Sequence, residues 1–359
     1  MKRILLVNHY WPPTGGPAVQ RWLDFAQSIL DYGHHLEVLT PTDAAFPWYD
    51  ESLLARVPKG LRVHRIGANM TVSSARKMVG DNKFTRFVRG NFFLPDPRKS
   101  WNPLAIAFIE ARLDQFDLLI TAGPPQSTHL IGLALRDKLT WVVDLHDYWT
   151  DAVYLKDFYR TRIAHAMDLR TENAVLRSAD LILAHSRTAV QSYTARTNTP
   201  VELIWMGYYA GHYQSSPPPI RSSVITHIGT LYGSYQNALA YVRELQAEGL
   251  QFRQIGHVDR TLQLPENTIL PGYLSHAEAI KATRESDQLL IIIPYANVVP
   301  GKLFEYFAAR RPIRCFAPPG SEIQALIDEY ADASPDIIRD TFSRRSIAIR
   351  LAQRLDALP

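Results

Sequence analysis

The chain has 359 residues, of which 46% are hydrophobic and 21% charged, and its formal net charge is +4. Its length favours two domains, and this composition excludes a disordered or fibrous chain. No apolar run reaches the roughly 20 residues of a membrane-spanning helix, and a single cysteine excludes an internal disulfide, so we expect a cytoplasmic protein with an anionic partner.

The first half of the chain alternates strand and helix patterns. A strand is predicted over Arg3–Asn8 and a helix over Ala18–Tyr32, with Gly33 as a left-handed C-cap and a second strand over His35–Thr40. Parallel strands joined by a crossover helix follow from this order. The other predicted elements of this half are strands at Leu61–Ile66, Asp117–Thr121, Trp141–Leu145, Asp180–Ala184 and Val201–Trp205, and helices at Thr128–Lys138 and Arg162–Arg177.

The second half begins after a polar, proline-rich stretch, Ser215–Pro219, which is typical of a linker. Its predicted strands are Val224–Ile228, Phe252–Ile255, Gln288–Ile293 and Ile313–Phe316. Its predicted helices are Tyr235–Glu248, Ser275–Ser286, Lys302–Ala309, Ser321–Glu329 and a final one near Thr341–Leu355. Two such series predict two Rossmann-like α/β domains facing a cleft, at 1–214 and 215–340, with the helix of 341–359 packing back toward the first domain.

Ligands of open α/β sheets bind beyond the carboxyl ends of the strands, so the loops that follow strands are the candidate sites. After the first strand, Gly15 and Gly16 precede a helix N-terminus, where backbone amides favour an anion, although a plain tight turn is the alternative. The spacing matches neither a dinucleotide fingerprint nor a P-loop. A nicotinamide enzyme and a nucleoside triphosphatase are therefore disfavoured.

A histidine and several carboxylates follow the strand that ends at Leu145, and His146 and Asp147 are the candidates there. The aspartates around them do not have the spacing of a calcium or zinc site, so no metal is expected. The chain also has no nucleophile elbow, and Cys315 lies in an apolar strand. Nucleophilic hydrolysis therefore lacks a candidate residue, while a structural role for His146 remains open.

Three loops of the second half carry further candidates. Gly229 and Thr230 follow its first strand, and the stretch Gly272–Leu274, which includes Tyr273, precedes a capping-box pattern at Ser275 and Glu278. Gly301 and Lys302 then open a helix whose free amides favour a phosphate, with Glu305 one turn inside it. Plain compensation of the helix dipole is the alternative explanation for Glu305.

Seven basic residues lie between Arg76 and Lys99, interleaved with four phenylalanines. Basic and aromatic residues together are typical of an interfacial membrane contact or of a phosphate-bearing partner, and a solvated loop is the alternative. The candidate acceptor or membrane contacts of this segment are Arg86, Arg89, Phe92 and Phe93.

Seven segments spread over nearly the whole chain resemble the family 4 glycosyltransferases, retaining enzymes of the two-domain GT-B fold that use nucleotide-sugar donors. The segments are HYWPPTGG, RGNFFLPDPRKSW, ITAGPPQSTHLIGL, DLHDYWTD, THIGTL, GYLSHAEAI and PGKLFEYFAARRP. Several are similar to a bacterial branch that assembles exopolysaccharide or lipopolysaccharide. The resemblance implies a UDP- or GDP-linked donor, a glycan or lipid-linked acceptor, no nucleic acid, and no metal or other cofactor.

The resemblance also implies roles for individual residues. Glu305 matches the glutamate that accepts hydrogen bonds from the donor ribose, and Asn297 stands where the family usually has a second glutamate near the transferred sugar. Gly272, Tyr273 and Leu274 match the stretch that meets the nucleobase. The segment implied to face the sugar and phosphates contains Val298, Val299, Gly301, Lys302 and Leu303.

The family commonly places an arginine and a lysine after the first strand of the second domain to bind the diphosphate. The corresponding loop here, GTLYGSYQ, has neither. Lys302, backbone amides, Arg21 and the Gly15–Gly16 loop are therefore the expected diphosphate ligands. His146 or Asp147 matches the position that contacts the transferred sugar, and together with Asn297 they are the candidate catalytic residues.

Two other functions stay open at this point. A nucleotide-sugar 2-epimerase shares the architecture, but it needs a set of carboxylates and histidines around the sugar that this sequence does not match. A degenerate protein that binds nucleotide-sugar or glycan without turnover is suggested by Asn297 and by the missing cations. If the resemblance holds, a cytoplasmic enzyme peripheral to the inner face of the membrane is expected.

Overall fold

The computed structural model describes residues 1–42, 49–67, 82–214, 217, 219, 223–235 and 237–359. Arg76 and Lys77 of the basic segment, and most of the predicted linker at 215–219, lie outside the described residues. Within the described part, no helix is both long and apolar enough to cross a membrane. The chain divides into an N-terminal unit, Met1–Met206 with Ile347–Pro359, and a C-terminal unit, Gly207–Ser346.

A seven-stranded parallel sheet forms the centre of the N-terminal unit. Its strands are β1 (Arg3–Asn8), β2 (His35–Pro41), β3 (Arg62–Ile66), β4 (Leu118–Gly123), β5 (Thr140–Leu145), β6 (Leu181–Ala184) and β7 (Val201–Leu203). They lie in the order β3-β2-β1-β4-β5-β6-β7. β1, β4 and β5 are buried almost throughout and read as continuous apolar runs because helices cover both faces of such a sheet.

Six helices of the described residues belong wholly to this unit. They are α1 (Pro17–Tyr32), α2 (Lys83–Phe92), α3 (Asn102–Glu110), α4 (His129–Leu135), α5 (Arg162–Ser178) and α6 (Arg187–Thr194). α1 begins with a proline at its first turn and ends at Gly33, whose φ of 109° confirms the predicted left-handed C-cap.

The C-terminal unit has a five-stranded parallel sheet. Its strands are β8 (Val224–Ile228), β9 (Gln251–Ile255), β10 (Ile269–Gly272), β11 (Gln288–Ile292) and β12 (Ile313–Phe316), in the order β10-β9-β8-β11-β12. Its helices are α7 (Ala238–Ala247), α8 (His276–Glu285), α9 (Lys302–Ala309), α10 (Glu322–Tyr330) and α11 (Pro335–Phe342). β10 was not predicted, because its proline and glycine are disfavoured in strands and tolerated only at a sheet edge.

The last helix, α12 (Arg344–Asp356), runs from the end of the C-terminal unit into the N-terminal one. It is tied there by hydrogen bonds from Lys2 Nζ to the Leu358 carbonyl (2.8 Å) and between His34 Nε2 and the Ala352 carbonyl (3.1 Å). The final helix predicted near Thr341–Leu355 is confirmed as α12, but it begins three residues later, and α11 before it was not predicted. Ser343 is extended and its hydroxyl accepts a hydrogen bond from the Ser346 amide, so it caps α12 and separates that helix from α11.

The unit boundary also differs from the expected one. The chain changes unit between Met206 and Gly207, whereas the composition of the linker suggested residue 214. Ala210–Tyr213 is a short 3₁₀ segment, and the Tyr208 amide bonds to the Phe342 carbonyl, so this stretch is already part of the C-terminal unit. Proline content marks a break in regular structure, but backbone pairing decides where a domain begins.

Candidate functional site

Glycines bring three loops together at the carboxyl edge of the C-terminal sheet. Gly229, Gly256 and Gly272 follow or end β8, β9 and β10, and all have positive φ. A Cβ on Gly256 would lie 2.7 Å from the Gly229 carbonyl oxygen, and the Gly256 amide donates to the Gly272 carbonyl at 2.8 Å. Only glycine fits this approach at 256, a position that the sequence prediction did not single out.

Lys302, the first residue of α9, points its ammonium into this edge. Its Nζ donates to His227 Nε2 at 2.8 Å and to the Ile228 carbonyl at 2.9 Å, and a Cβ on Gly229 would lie 3.4 Å from it. Among the described residues no carboxylate forms an ion pair with Lys302. Burial without a counter-charge lowers the pKa of Lys302 to about 7.

Glu305 lies one turn further along α9 and is half-buried. Burial raises the pKa of its carboxyl, and the nearby Arg344 guanidinium opposes that rise. Within the described part of the chain this carboxylate accepts no hydrogen bond. A carboxylate that accepts no hydrogen bond from the described residues is available to the hydroxyl or amide groups of a ligand.

The segment before α9 offers backbone donors. The amides of Val299, Gly301 and Lys302 have no acceptor among the described residues, and they precede the positive end of the helix dipole. Asn297 and Val298 are half-buried just ahead of them. Leu303, by contrast, is fully buried and its amide bonds to the Pro300 carbonyl, so neither its side chain nor its amide is available to a ligand.

The loop after β10 has an exposed tip and a capped helix. Tyr273 is 89% exposed, Leu274 is half-buried, and Gly272 joins the cluster of glycines through its carbonyl. Ser275 and Glu278 form the capping box that the sequence predicted at the start of α8. The structure thus brings Gly229, Gly272 and Lys302 to one edge of one sheet.

The N-terminal unit places a buried carboxylate, Asp144, at the end of β5. Arg21 binds it through both guanidinium nitrogens, at 2.7 and 3.2 Å, and Trp22 Nε1 donates to it at 2.8 Å. Burial alone would raise the pKa of Asp144, but Arg21 and the neighbouring His146 outweigh it and hold that pKa well below its usual range. Arg21 is fully buried in this pair, so its guanidinium is not available to a diphosphate.

The other predicted residues of this unit surround that pair at the carboxyl ends of β1 and β5. His146 Nδ1 lies 3.6 Å from Asp144, and its Nε2 has no hydrogen-bond partner in the described structure. Asp147 is exposed. Gly16 caps α1 with a φ of 114°, and Gly15 is buried beside it.

His129 is a candidate that the sequence prediction missed. Its ring is fully buried, Nδ1 lies 3.0 Å from Thr121 Oγ1, and Nε2 has no partner among the described residues. A Cβ on Gly123 would lie 2.5 Å from that Nε2, so glycine is needed to leave this nitrogen its space. The signal was present in the segment ITAGPPQSTHLIGL, to which no site residue was assigned.

An aromatic cavity of about 200 Å³ lies in the N-terminal unit beside α2. Its lining includes the rings of Tyr10, Phe93, Trp149, Tyr154 and Phe158 and the guanidinium groups of Arg89, Arg98 and Arg160. Arg160 is paired with Asp168 at 2.5 Å. Aromatic rings with several arginines are suited to a sugar or phosphate group.

The outer side of α2 continues into an exposed apolar surface. A Cβ on Gly90 would lie 2.6 Å from the Phe158 carbonyl oxygen, so the inner side of the helix packs closely on the segment Val153–Phe158. We name the outward side the α2–α5 surface. Its large exposed side chains are Phe84, Phe87, Phe92, Phe93, Tyr154, Tyr159, Ile163 and Met167.

A model of the glycosyl transferase 4-like domain matches residues 15–204, more than half of the chain. The chain belongs to this glycosyltransferase family. No curated protein sequence matches it.

Solved structures show that this glycosyltransferase has the GT-B fold. HepE of Anabaena, solved with UDP-glucose, is 14% identical, with a TM-score of 0.63 and complete coverage of both chains. Sucrose-phosphate synthase of Thermosynechococcus elongatus is 13% identical, with a TM-score of 0.65 over 99% of this chain and 98% of that one. WaaG, a glycosyltransferase of lipopolysaccharide biosynthesis, is 13% identical, with a TM-score of 0.57 over 99% of this chain and 100% of its own.

The described residues contain no group of three histidine, cysteine or carboxylate side chains able to hold a metal ion. The C-terminal unit combines the Lys302 ammonium, backbone amides and a half-buried carboxylate, which among the described residues have no counter-charge, no acceptor and no donor, respectively. Such an arrangement binds an anion and a polyol and stabilises developing charge.

Proposed function

We propose that the chain transfers a sugar from a nucleotide-sugar donor to a glycan or lipid-linked acceptor, with retention of anomeric configuration. The observation that carries this proposal is the Lys302 ammonium. Among the described residues its partners are neutral, and it lies at a cluster of glycines one turn before Glu305, a carboxylate that accepts no hydrogen bond from those residues. Cation, amides and carboxylate match the diphosphate and ribose of one ligand. The complex of HepE with UDP-glucose supports a UDP-linked donor.

The donor is assigned to the C-terminal unit. Glu305 accepts hydrogen bonds from the ribose hydroxyls, and the loop at Gly272, Tyr273 and Leu274 meets the nucleobase. The ligands assigned to the diphosphate are Lys302, the Gly229–Thr230 loop and the backbone of Val298, Val299 and Gly301. Asn297 is assigned to a hydroxyl of the transferred sugar, and His146 and Asp147 are the candidate catalytic residues of the N-terminal unit.

The transfer step needs no protein nucleophile. The bond from the anomeric carbon to the diphosphate oxygen breaks, and a bond to the acceptor oxygen forms on the same face of the sugar. The acceptor proton passes to the departing phosphate oxygen. Lys302 and the amides before α9 stabilise the charge that develops on the leaving diphosphate, which is the main catalytic contribution we assign to the protein.

The acceptor is assigned to the N-terminal unit, as a lipid-linked intermediate of bacterial surface-polysaccharide assembly at the inner face of the membrane. The stretch from Asn82 to Phe93 has three basic residues and no acidic one, which complements an anionic lipid surface. The α2–α5 surface supplies apolar groups for insertion. The adjacent cavity, with Arg89 and Phe93 in its lining, has the chemistry to receive a phosphorylated sugar headgroup.

Slow hydrolysis across a panel of UDP-, GDP- and ADP-sugars tests the reaction. We expect release of free sugar from one nucleotide class, with the anomer of the released sugar read by NMR before it equilibrates. Release of the same anomer supports retention, and the opposite anomer contradicts it. Tight binding of a nucleotide-sugar without any turnover would favour the non-catalytic binding protein, and interconversion of the sugar would favour an epimerase.

A further inference from the structure

Lys302 is held by two buried side chains, His227 and Gln254, whose role no other part of the proposed site explains. Lys302 Nζ lies 2.8 Å from His227 Nε2, and His227 Nδ1 lies 2.7 Å from Gln254 Oε1. Gln254 Nε2 in turn donates to the Gly229 carbonyl at 2.7 Å and to the Ile255 carbonyl at 3.2 Å. His227 and Gln254 are both fully buried.

The surroundings of Gln254 decide which atoms donate and which accept in these hydrogen bonds. Gln254 faces two carbonyl groups, which only its amide nitrogen can satisfy, so Oε1 is an acceptor. His227 therefore carries its proton on Nδ1, and Nε2 accepts from Lys302. Burial and the Lys302 charge lower the pKa of His227 well below its usual range, so the ring stays neutral.

Lys302 consequently has one proton to spare only when it is charged. A neutral amine has two N–H groups, and the His227 ring and the Ile228 carbonyl take both. The third proton of the ammonium is directed neither to His227 nor to Ile228, and the amine is next to Gly229, where a ligand phosphate can approach. An anion at that position would form a charge-assisted hydrogen bond with it.

We propose that His227 and Gln254 are positioning residues for the donor diphosphate, and that they hold Lys302 so that diphosphate binding is coupled to proton uptake at its amine. This inference rests on the proposed donor site. Lys302 also supplies a cation next to the loop GTLYGSYQ, which has no arginine or lysine of its own. The cation comes instead from the start of α9, and the buried pair on β8 and β9 sets its direction.

The charged and titratable groups around Lys302 support this linkage. His227 faces it from β8 and stays neutral. From α9, the Tyr306 hydroxyl accepts a hydrogen bond from the Ile228 amide, and Glu305 forms no ion pair with Lys302. The pKa of Lys302 in the free protein is about 7 because burial disfavours its charge, and a bound diphosphate would raise that pKa.

The sign of the pH dependence follows. Both phosphates of a nucleotide-sugar stay ionised over the pH range of interest, so only the protein titrates. Below the pKa of free Lys302 the cation is already present and affinity is constant. Above it each bound ligand takes up one proton, so affinity falls about tenfold per pH unit until the pKa of the bound state is reached.

Isothermal titration calorimetry with UDP-glucose from pH 6 to pH 9, in buffers of different ionisation enthalpy, tests the linkage in the full-length protein. We expect uptake of close to one proton per ligand at pH 8. Lys302→Arg keeps its charge throughout and is expected to bind without proton uptake. The measurement on the unaltered protein needs no variant to fold.

Two substitutions at Gln254 separate positioning from a merely structural role. Gln254→Leu removes the acceptor that keeps the His227 proton on Nδ1. His227 Nε2 is then no longer fixed as an acceptor for the Lys302 ammonium, so the pH midpoint of UDP-glucose affinity moves down. Gln254→Glu keeps an acceptor for Nδ1 and adds a negative charge, so the midpoint moves up. Thr226→Val is the matched control, because Thr226 precedes His227 on β8, points to the opposite sheet face and bonds to Arg253 and Ser286 instead.

Opposite shifts for the two Gln254 variants, with Thr226→Val unchanged, support the inference. Affinity that does not vary with pH in the unaltered protein overturns it, as do shifts of the same direction in both variants. Those outcomes leave the donor assignment standing. Failure of UDP-glucose, GDP-mannose and ADP-glucose alike to bind would overturn the proposed function together with this inference.

Discussion

Both units bury a charged side chain at the carboxyl edge of their sheet, but they treat that charge in opposite ways. Asp144 of the N-terminal unit accepts hydrogen bonds from Arg21 and Trp22, and His146 lies 3.6 Å from it. Within the part of the chain that the structure describes, Lys302 of the C-terminal unit donates to a neutral imidazole and a carbonyl group and has no counter-charge. A charge that its own protein neutralises is part of the scaffold, whereas a charge left without a counter-ion is available to a ligand.

The pKa shifts express the same difference. The pKa of Asp144 is lowered, so its charged form is favoured in the folded unit. The pKa of Lys302 is lowered as well, but for a lysine this direction means that the charged form is disfavoured. The fold therefore stabilises the charge of Asp144 by itself, whereas the charge of Lys302 is stabilised only when a ligand binds. Substitutions in the N-terminal unit should therefore reduce stability, and those in the C-terminal unit should reduce ligand affinity.

The largest expected effect comes from breaking the buried ion pair of Arg21 and Asp144. Asp144→Asn leaves the fully buried Arg21 guanidinium without a counter-charge, and loss of one partner of a buried ion pair costs about 3–5 kcal/mol. We expect that decrease in the free energy of unfolding of the N-terminal unit, measured by urea denaturation. Glu110→Gln is the control, since its pair with Lys138 is exposed and is worth at most about 1 kcal/mol. Equal losses for both variants would contradict the comparison.

A second substitution, at Glu305 of the C-terminal unit, should weaken ligand binding while it increases stability. Glu305→Gln should weaken binding of UDP by about 10- to 100-fold, because hydrogen bonds to a charged acceptor are worth about 1.5–3 kcal/mol. The same variant should raise the melting temperature, because burial raises the pKa of Glu305 and its charge is unfavourable in the folded state. That stabilisation should be largest above the raised pKa and vanish at acid pH, where both states are protonated.

The control for this variant is Glu248→Gln, since Glu248 is exposed and paired with Arg314. Binding and melting temperature are expected to stay unchanged there. A Glu305→Gln protein that melts lower and binds UDP as before would mean that the carboxylate is scaffold, like Asp144, and the contrast between the two units would be lost.

The sequence predicted the elements of both sheets better than the state of their charged residues. β1, β8, α9 and β12 begin and end at the expected residues, because apolar periodicity and capping are local signals. Arg21 was expected at the diphosphate and is instead bound to Asp144, 123 residues away along the chain. Pairing over that distance depends on the tertiary fold, and the same reason hid Gly256, His129 and the pair His227–Gln254.

A third substitution tests whether the N-terminal unit has a ligand surface of its own. Phe84 and Phe92 are 73% and 69% exposed on α2, so replacing both by serine should leave folding intact. We expect about tenfold weaker binding to vesicles that contain phosphatidylglycerol, because partial insertion of each ring contributes on the order of 1 kcal/mol. Co-sedimentation measures this, with Leu104→Ser as the control, an exposed apolar residue on α3. Undiminished sedimentation of the double variant with vesicles would contradict the proposed membrane contact of the α2–α5 surface.

The smallest expected effect concerns Asn297, which stands where the resemblance places a second glutamate. Asn297→Ala removes a single uncharged hydrogen-bonding group, worth about 0.5–1.5 kcal/mol, so kcat/KM should fall about threefold to tenfold. Because Asn297 is assigned to the transferred sugar, affinity for UDP-glucose should fall while affinity for UDP stays the same. Asn297 lies ahead of the free amides that we assign to the diphosphate, so loss of UDP affinity would mean that it shapes that loop and does not bind the sugar. An unchanged kcat/KM would mean that the sugar is bound by other groups.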